Sequence, residues 1–386
     1  MGKKSLQNLN IAIATHIFAT GPALELEEYL KNKVNSLLFI GNPFPYSKEK
    51  RSFYRFYLRG KLKKEHKFLN VSFLDTLSYF KDAIITFFWT IRSPRKINLF
   101  IASDNFLGFV GIVLKEIGKV DEIILYTIDY MPKRFTNSFL NYLYHYFDKI
   151  CMKKSKIIWN VSSKISEARE EYSGIRIKDS CKQIVVPLGV WYKRIPKTPF
   201  NKRQKNSIIF MGHLLEKQGL NIVIESLPEI IKKIPDVSLT IIGTGPYERE
   251  LVSLVKKLKL SKWVKFMGYI ESHQEIERIL SQKSMAVATY KPDPESFTYF
   301  ADPGKIKNYL AAGLPVILTN VPPIATDLED KKCALICRYD KKDFCAKIIS
   351  LINNKIKLRT YSNNASSYAK QFDWNKIFAK ALKSSL

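Results

Sequence analysis

SIIFMGHLLEKQGLNIVIESLPEIIKKIPDVSLTIIGTGPYERELV, residues 207–252, decides the fold. Its opening SIIFMG is a β-branched and aromatic run that stops on Gly212, and NIVIESLPEIIKKI then repeats apolar residues at helical spacing. VSLTIIGTG is a second strand-like run ending on glycines, and YERELVSLVKKL is again amphipathic. Strand, loop and helix repeated this way predict parallel strands joined by crossover helices.

The same alternation continues downstream. KWVKFMGY, MAVATY, PVILTN and ALICRY read as strands, with SHQEIERILSQ, PGKIKNYLAAG and DFCAKIISLINN as helices. Upstream, NIAIAT, NSLLFIG, INLFIASD, EIILYTID, SKIIWNVS and QIVVPLG form an earlier strand series. Helical patterns follow Gly21-Pro22, Asp104 and Asn137. Between the two series, YKRIPKTPFNKRQKN (192–206) is polar, carries two prolines and lacks an apolar period, so it reads as a linker.

The expected architecture is α/β, with two doubly wound Rossmann-like domains facing across a cleft. The first covers residues 1–195 and the second 205–365, with residues 366–386 expected as a helix returning to the first domain. A chain of 386 residues, 46% hydrophobic and 25% charged, is long enough for two cores and is neither disordered nor collagen-like. Five cysteines without paired Cys-x-x-Cys spacing argue against a zinc or disulfide framework. The start, MGKKSLQNLN, lacks a signal-peptide pattern, so a cytoplasmic location is expected. AIITFFWTI (83–91) is too short to span a bilayer and reads as a buried helix or an interfacial wedge.

The net charge of +28 implies an anionic partner. Residues 48–67, KEKRSFYRFYLRGKLKKEHK, carry nine Lys or Arg against two Glu, interleaved with Phe53, Tyr54, Phe56 and Tyr57. That composition is expected of a helix or loop lying on an anionic membrane, so a peripheral position on the cytosolic face is expected. Nucleic acid and a plain solvated charge run are the rivals; with no recognisable nucleic-acid module in the chain, nucleic acid is not the expected partner.

FMGHLLEKQGL, LTIIGTGPYERELV, VKFMGYI and DPGKIKNYLAAGLPVILT occur in that order between residues 207 and 319. Together they resemble the C-terminal domain of retaining, nucleotide-sugar-dependent glycosyltransferases of the twin-Rossmann (GT-B) architecture, of the glycosyltransferase family 4 or group 1 type. ATGPA and VVPLGV extend the likeness faintly into the first half. The resemblance implies transfer of a sugar from a nucleoside diphosphate sugar to a lipid-linked or polysaccharide acceptor with retention of configuration, the first domain (1–195) taking the acceptor side and the second (205–365) binding the nucleotide sugar. No cofactor or metal is implied, because cationic side chains and helix-start amides stabilise the leaving diphosphate. Two other functions stay open: a catalytically silent sugar-nucleotide or glycan binding module, and a sugar-nucleotide epimerase.

Lys217, in the loop after a strand, suits a diphosphate, as does Lys305 in the first turn of a helix, where a cation is unfavourable unless an anion lies between. His213 stands where the resembled family has Arg, as a titratable cation or a structural residue. Tyr269 and Ile270 fall where that family's backbone reads the base. The two family glutamates are replaced by Phe300 and Asn308, leaving Asn308 to hold the ribose through its amide. Asp302 is either a helix N-cap or a sugar-hydroxyl ligand, and Glu295 either a substitute carboxylate or an exposed loop residue. In the first half, Gly21 offers close backbone approach or merely a turn. Asp129, ending a strand, contacts sugar or acceptor or caps its loop, and His16 is a ligand or a satisfied hydrogen bonder. Lys217, Lys305 and Asp129 are the expected catalytic set.

Overall fold

The computed structural model describes residues 6–17, 21–44, 50–68, 75–293 and 296–386. The chain divides into two units, residues 1–187 with 374–386, and residues 188–373. The first crossing thus follows Pro187, upstream of the boundary expected at 195, and the second follows Asp373.

In the first unit the strands are β1 (Asn10–Ile17), β2 (Ser36–Pro43), β3 (Phe53–Leu58), β4 (Lys61–Lys67), β5 (Ile97–Ala102), β6 (Val120–Thr127), β7 (Ile157–Asn160) and β8 (Lys182–Val185). Among the described residues they form one sheet in the order β4-β3-β2-β1-β5-β6-β7-β8. Pairing is parallel except around β3, which runs antiparallel to β2 and β4. Ile13 lies opposite Phe39 on one side and Ile101 on the other, all three buried. Strands covered on both faces read as unbroken apolar runs, which is why this part of the sheet is plain in the sequence. The helices are α1 (Pro22–Leu30), α2 (Asp75–Ile91), α3 (Asn105–Glu116), α4 (Ser138–Lys154) and α5 (Ser163–Ser173).

The basic aromatic segment is a β-hairpin, not the helix or loop expected. Arg59 and Gly60 both take positive φ, 48° and 80°, which supplies the two-residue turn whose twist matches antiparallel strands. Its rings face the protein: Phe53 packs on Phe39 and Tyr54 edges onto Trp89 of α2, with centroids 6.2 and 5.1 Å apart. Arg55 forks onto the buried Glu27 carboxylate of α1. Aromatics favour strands because they fit the pleated, half-buried surface, and here that preference wins over an amphipathic helix. The residues of β4 are all exposed, although His66 still meets the Tyr54 and Trp89 rings, with centroids 5.7 and 6.1 Å apart.

The second unit has strands β9 (Ser207–Met211), β10 (Ser238–Ile242), β11 (Val264–Phe266), β12 (Met285–Ala288), β13 (Val316–Thr319) and β14 (Ala334–Cys337). They form an all-parallel sheet ordered β11-β10-β9-β12-β13-β14 among the described residues. Its helices are α6 (Leu220–Lys233), α7 (Glu248–Lys257), α8 (His273–Ser281), α9 (Gly304–Ala311), α10 (Ala325–Asp330), α11 (Lys341–Ile352) and α12 (Lys355–Ala369). Both units are therefore Rossmann-like, each dominated by a parallel sheet.

Residues 192–206 do not hang free as a linker. Lys197 Nζ donates to Ala311 O at 2.5 Å and Arg203 to Gly313 O at 2.6 Å, so two cations satisfy carbonyls at the end of α9. The last helix, α13 (Trp374–Ser385), belongs to the first unit. Phe378 packs on Tyr29 of α1 at 5.5 Å, and Ser385 Oγ accepts from Trp159 Nε1 at 2.9 Å.

Candidate active site

In a doubly wound sheet, ligands bind beyond the carboxyl ends of the strands where the strand order reverses. In the second unit that point lies between β9 and β12. The loop after β9 is tied to the loop after β12: Lys291 N donates to Lys217 O at 3.0 Å, and Thr289 Oγ1 to Gly219 O at 2.9 Å. Gly219 is obligatory, since its φ is 66° and a Cβ there would lie 1.7 Å from Thr289 O. The Gly243 turn after β10 packs as tightly, with a Cβ placed 2.1 Å from Gly212 O. Gly243 thus serves loop-on-loop packing, whatever else the turn does.

Lys305, in the first turn of α9, reaches into this corner. Its Nζ lies 4.2 Å from the Phe210 ring centroid and 4.7 Å from that of Tyr290, and it donates to Gln218 Oε1 at 2.5 Å. Among the described residues no carboxylate pairs with it. Desolvation therefore dominates and brings its pKa down to about 7. Gln218, Phe210 and Tyr290 were not singled out in the sequence; Gln218 was visible there only as an interruption between Lys217 and Gly219. Lys217, half-buried, lines a cavity of about 550 Å3 with Leu215, Glu216, Lys291, Pro292 and Asp293. His213 is exposed, and partial burial followed by the Lys217 charge lowers its pKa, so at neutral pH it is not a second cation.

Asp302 is not a helix cap. The residue at the cap of α9 is Pro303, and the Asp302 carboxylate is buried against Lys307 at 2.6 Å and Leu188 N at 2.8 Å. Lys307, missed in the sequence, is itself fully buried and sits 4.4 Å from the Phe372 ring centroid. Asn308 donates its amide to Gly304 O at 3.1 Å. Tyr269 is exposed and Ile270 half-buried just beyond β11, where Gly268 O accepts from Gly243 N. Glu295 lies outside the described residues.

The reversal point of the first unit lies between β1 and β5, and His16 stands there at the end of β1. Its Nδ1 is 2.7 Å from Asp104 Oδ2, and its Nε2 is 3.3 Å from Asp82 Oδ2, off-line for a hydrogen bond but close for charge. Burial alone would lower the histidine pKa; Asp104 and then Asp82 outweigh it and hold it at about 9. His16 is thus an imidazolium between two acids at neutral pH. Asp104 also caps α3 through Leu107 N at 3.0 Å, and its own pKa is lowered because the His16 cation overcomes the cost of burial. Neither acid was picked out in the sequence, although Asp104 ends a strand run as Asp129 does.

Asp129, half-exposed, pairs with Arg134 at 3.0 Å. Gly21 precedes α1 with nothing within 4 Å of a Cβ built on it, so local packing does not demand a glycine there. A buried network fills the neighbouring strand ends: Arg169 forks onto Asp148 at 2.9 and 3.0 Å and donates to Asn160 and Thr127. Among the described residues, no group of three or more His, Cys, Asp or Glu is arranged to hold a metal ion.

Residues 193–369 match the family model of glycosyl transferases, group 1. The second domain belongs to that family. The chain aligns with curated relatives that include the alpha-monoglucosyldiacylglycerol synthase of Acholeplasma laidlawii, 22% identical over 221 residues, which are 54% of this chain and 53% of that one. The chain spans about half the length, or less, of the curated relatives it matches. Among solved structures, the sucrose-phosphate synthase of Thermosynechococcus elongatus superposes with a TM-score of 0.71 at 13% identity, covering 97% of this chain and 98% of that one. HepE of Anabaena, solved with UDP and glucose, gives 0.66 at 17% identity, covering 98% and 100%. The fold likeness therefore extends beyond the group 1 domain to nearly the whole chain, and it is the GT-B fold.

Proposed function

We propose that the protein is a glycosyltransferase that moves a sugar from a nucleoside diphosphate sugar to a lipid-linked or polysaccharide acceptor, with retention at the anomeric carbon. The observation that carries this reading is Lys305, a lysine with no carboxylate partner among the described residues, desolvated between two aromatic rings at the sheet's reversal point in a group 1 domain. Such a group gains most from a neighbouring anion. Lys305 and Lys217 hold the donor diphosphate and stabilise the charge that develops on it as the sugar departs. Asn308 receives the ribose, and the backbone after β11 at Tyr269 and Ile270 lies beside the base. In the first domain, Asp129, His16 and the Gly21 backbone bind acceptor or sugar. Support for a nucleoside diphosphate donor comes from HepE, solved with UDP, and for a lipid acceptor from the diacylglycerol-dependent name of the Acholeplasma relative. The surplus of Lys and Arg in this chain suits work at an anionic membrane surface.

Incubating the protein with UDP- and GDP-sugars, with and without lipid or glycan acceptors, tests the reading. Nucleoside diphosphate release, a product whose anomeric configuration matches the donor, and turnover that survives EDTA are expected. If no donor is consumed and neither UDP nor GDP raises the melting temperature, the reading fails.

A further inference from the structure

Helix α2 carries apolar side chains on its outer face as well as its inner one. Ser78, Asp82, Ile85, Thr86 and Thr90 on its inner face are buried and Phe87 and Trp89 pack against the core, yet Phe80, Ile84, Phe88 and Ile91 are 38%, 57%, 47% and 36% exposed. At 100° per residue these four large apolar side chains fall within an arc of about 80°. A helix that does no more than cover a soluble core turns polar side chains to solvent on that outer face. A stripe of apolar side chains this long on one exposed face calls for an apolar partner.

The neighbouring helices extend the face. Beneath the surface, rings link α2 to α4 through α3, from Phe80 to the buried Phe106 to Phe147, at 6.4 and 5.3 Å. On α4, Phe139 and Tyr142 are 67% and 63% exposed, and Tyr146 stacks on Tyr142 at 6.1 Å. The charges around this face are mainly basic. Arg92 and Arg95 follow α2, with the Arg92 guanidinium 5.6 Å from the Phe88 ring centroid, and exposed Lys149 and Lys153 continue the α4 stripe. The nearby exposed acid Glu116 is paired with Lys154.

We infer that the outer face of α2, continued by the exposed aromatic stripe of α4, docks on an anionic lipid surface, with its apolar side chains in the interface and its arginines and lysines at the headgroups. The chemistry favours lipid over a second copy of the chain. A twofold contact sets a patch against itself and would bring like-charged fringes together, whereas anionic headgroups complement them. The inference names the docking surface for the membrane role proposed above and rests on that reading. It also reassigns insertion from the rings of the β3–β4 hairpin, which pack inward, to α2 and α4, leaving the exposed lysines of β4 as an added source of charge.

Vesicle flotation tests it, using phosphatidylcholine alone and phosphatidylcholine mixed with phosphatidylglycerol. The wild type should float with the mixed vesicles and far less with the neutral ones. Ile84→Ser with Phe88→Ser, and separately Phe139→Ser with Tyr142→Ser, should each weaken that binding by about tenfold or more, the scale of removing two buried apolar side chains from the interface. Both pairs should leave UDP binding unchanged by calorimetry, because they are surface changes away from the group 1 domain. The inference is overturned if the wild type shows no preference for anionic vesicles, or if both variants float as it does. A variant that floats normally but converts a dimer to a monomer in the ultracentrifuge assigns the face to a second copy instead. Donor hydrolysis without vesicles reports on the glycosyltransferase reading separately, so the two can fail independently.

Discussion

Lys307 Nζ donates to Asp302 Oδ1 at 2.6 Å inside the second domain, and the other carboxylate oxygen accepts from Leu188 N at 2.8 Å. The segment just after the first crossing is therefore pinned to the start of α9. It also pairs with the segment before the second crossing, Val190 N donating to Phe372 O at 2.9 Å. A buried ion pair broken on one side leaves an uncompensated charge. Asp302→Ala should cost about 3–5 kcal/mol in denaturant unfolding. Asp302→Leu combined with Lys307→Met should recover most of that loss. If the double variant is no more stable than the single one, the pair is not the source of the stability.

Lys305 should make nucleotide binding depend on pH. Its pKa is lowered to about 7 by burial, and a bound diphosphate favours the protonated form. Affinity for UDP should therefore fall as pH rises through and above 7, with net proton uptake on binding below full protonation. Calorimetry in buffers of different ionisation enthalpy measures that uptake. Lys305→Ala should abolish it and weaken binding by about 1–3 kcal/mol, the scale of a charge-assisted hydrogen bond. Unaltered affinity and proton uptake in the variant would remove Lys305 from the site.

His16 should make the first domain less stable in mild alkali. Its folded pKa of about 9 exceeds the ordinary value of 6.5, so its contribution is complete below about pH 6.5 and lost as pH rises through about 9. The upper size is on the order of 3 kcal/mol. Thermal melts from pH 6 to 10 should show this decline in the wild type and a flatter profile in His16→Gln. Parallel profiles would mean that the histidine is not charged in the folded state.

The parallel sheets were legible because their strands are buried on both faces and so read as plain apolar runs, as in IAIAT and SIIFMG. The hairpin was not: its strands carry Arg55, Lys61, Lys63, Lys64 and Lys67, and the informative sign was the turn pair Arg59-Gly60. At the site, Lys305 was legible from its place at a helix start. Lys307, two residues on, looks identical in the sequence, yet a step of two positions turns a helix by about 200° and sends one lysine to the reversal point and the other into the core. Asp82 and Asp104 come together with His16 only through folding, across separations that no local spacing records.

The seat of α13 has a consequence for how the protein is made. Tyr29 and Trp159 take their partners Phe378 and Ser385 from α13, so the sheet of the first unit lacks part of its cover until all of 188–373 has been made. At roughly 5–20 residues per second, translation of the intervening 188–373 lasts on the order of 10–40 s. Throughout that interval the nascent first domain presents an open apolar seam to chaperones and to neighbouring nascent chains, and α13 closes it only after the second domain has been made.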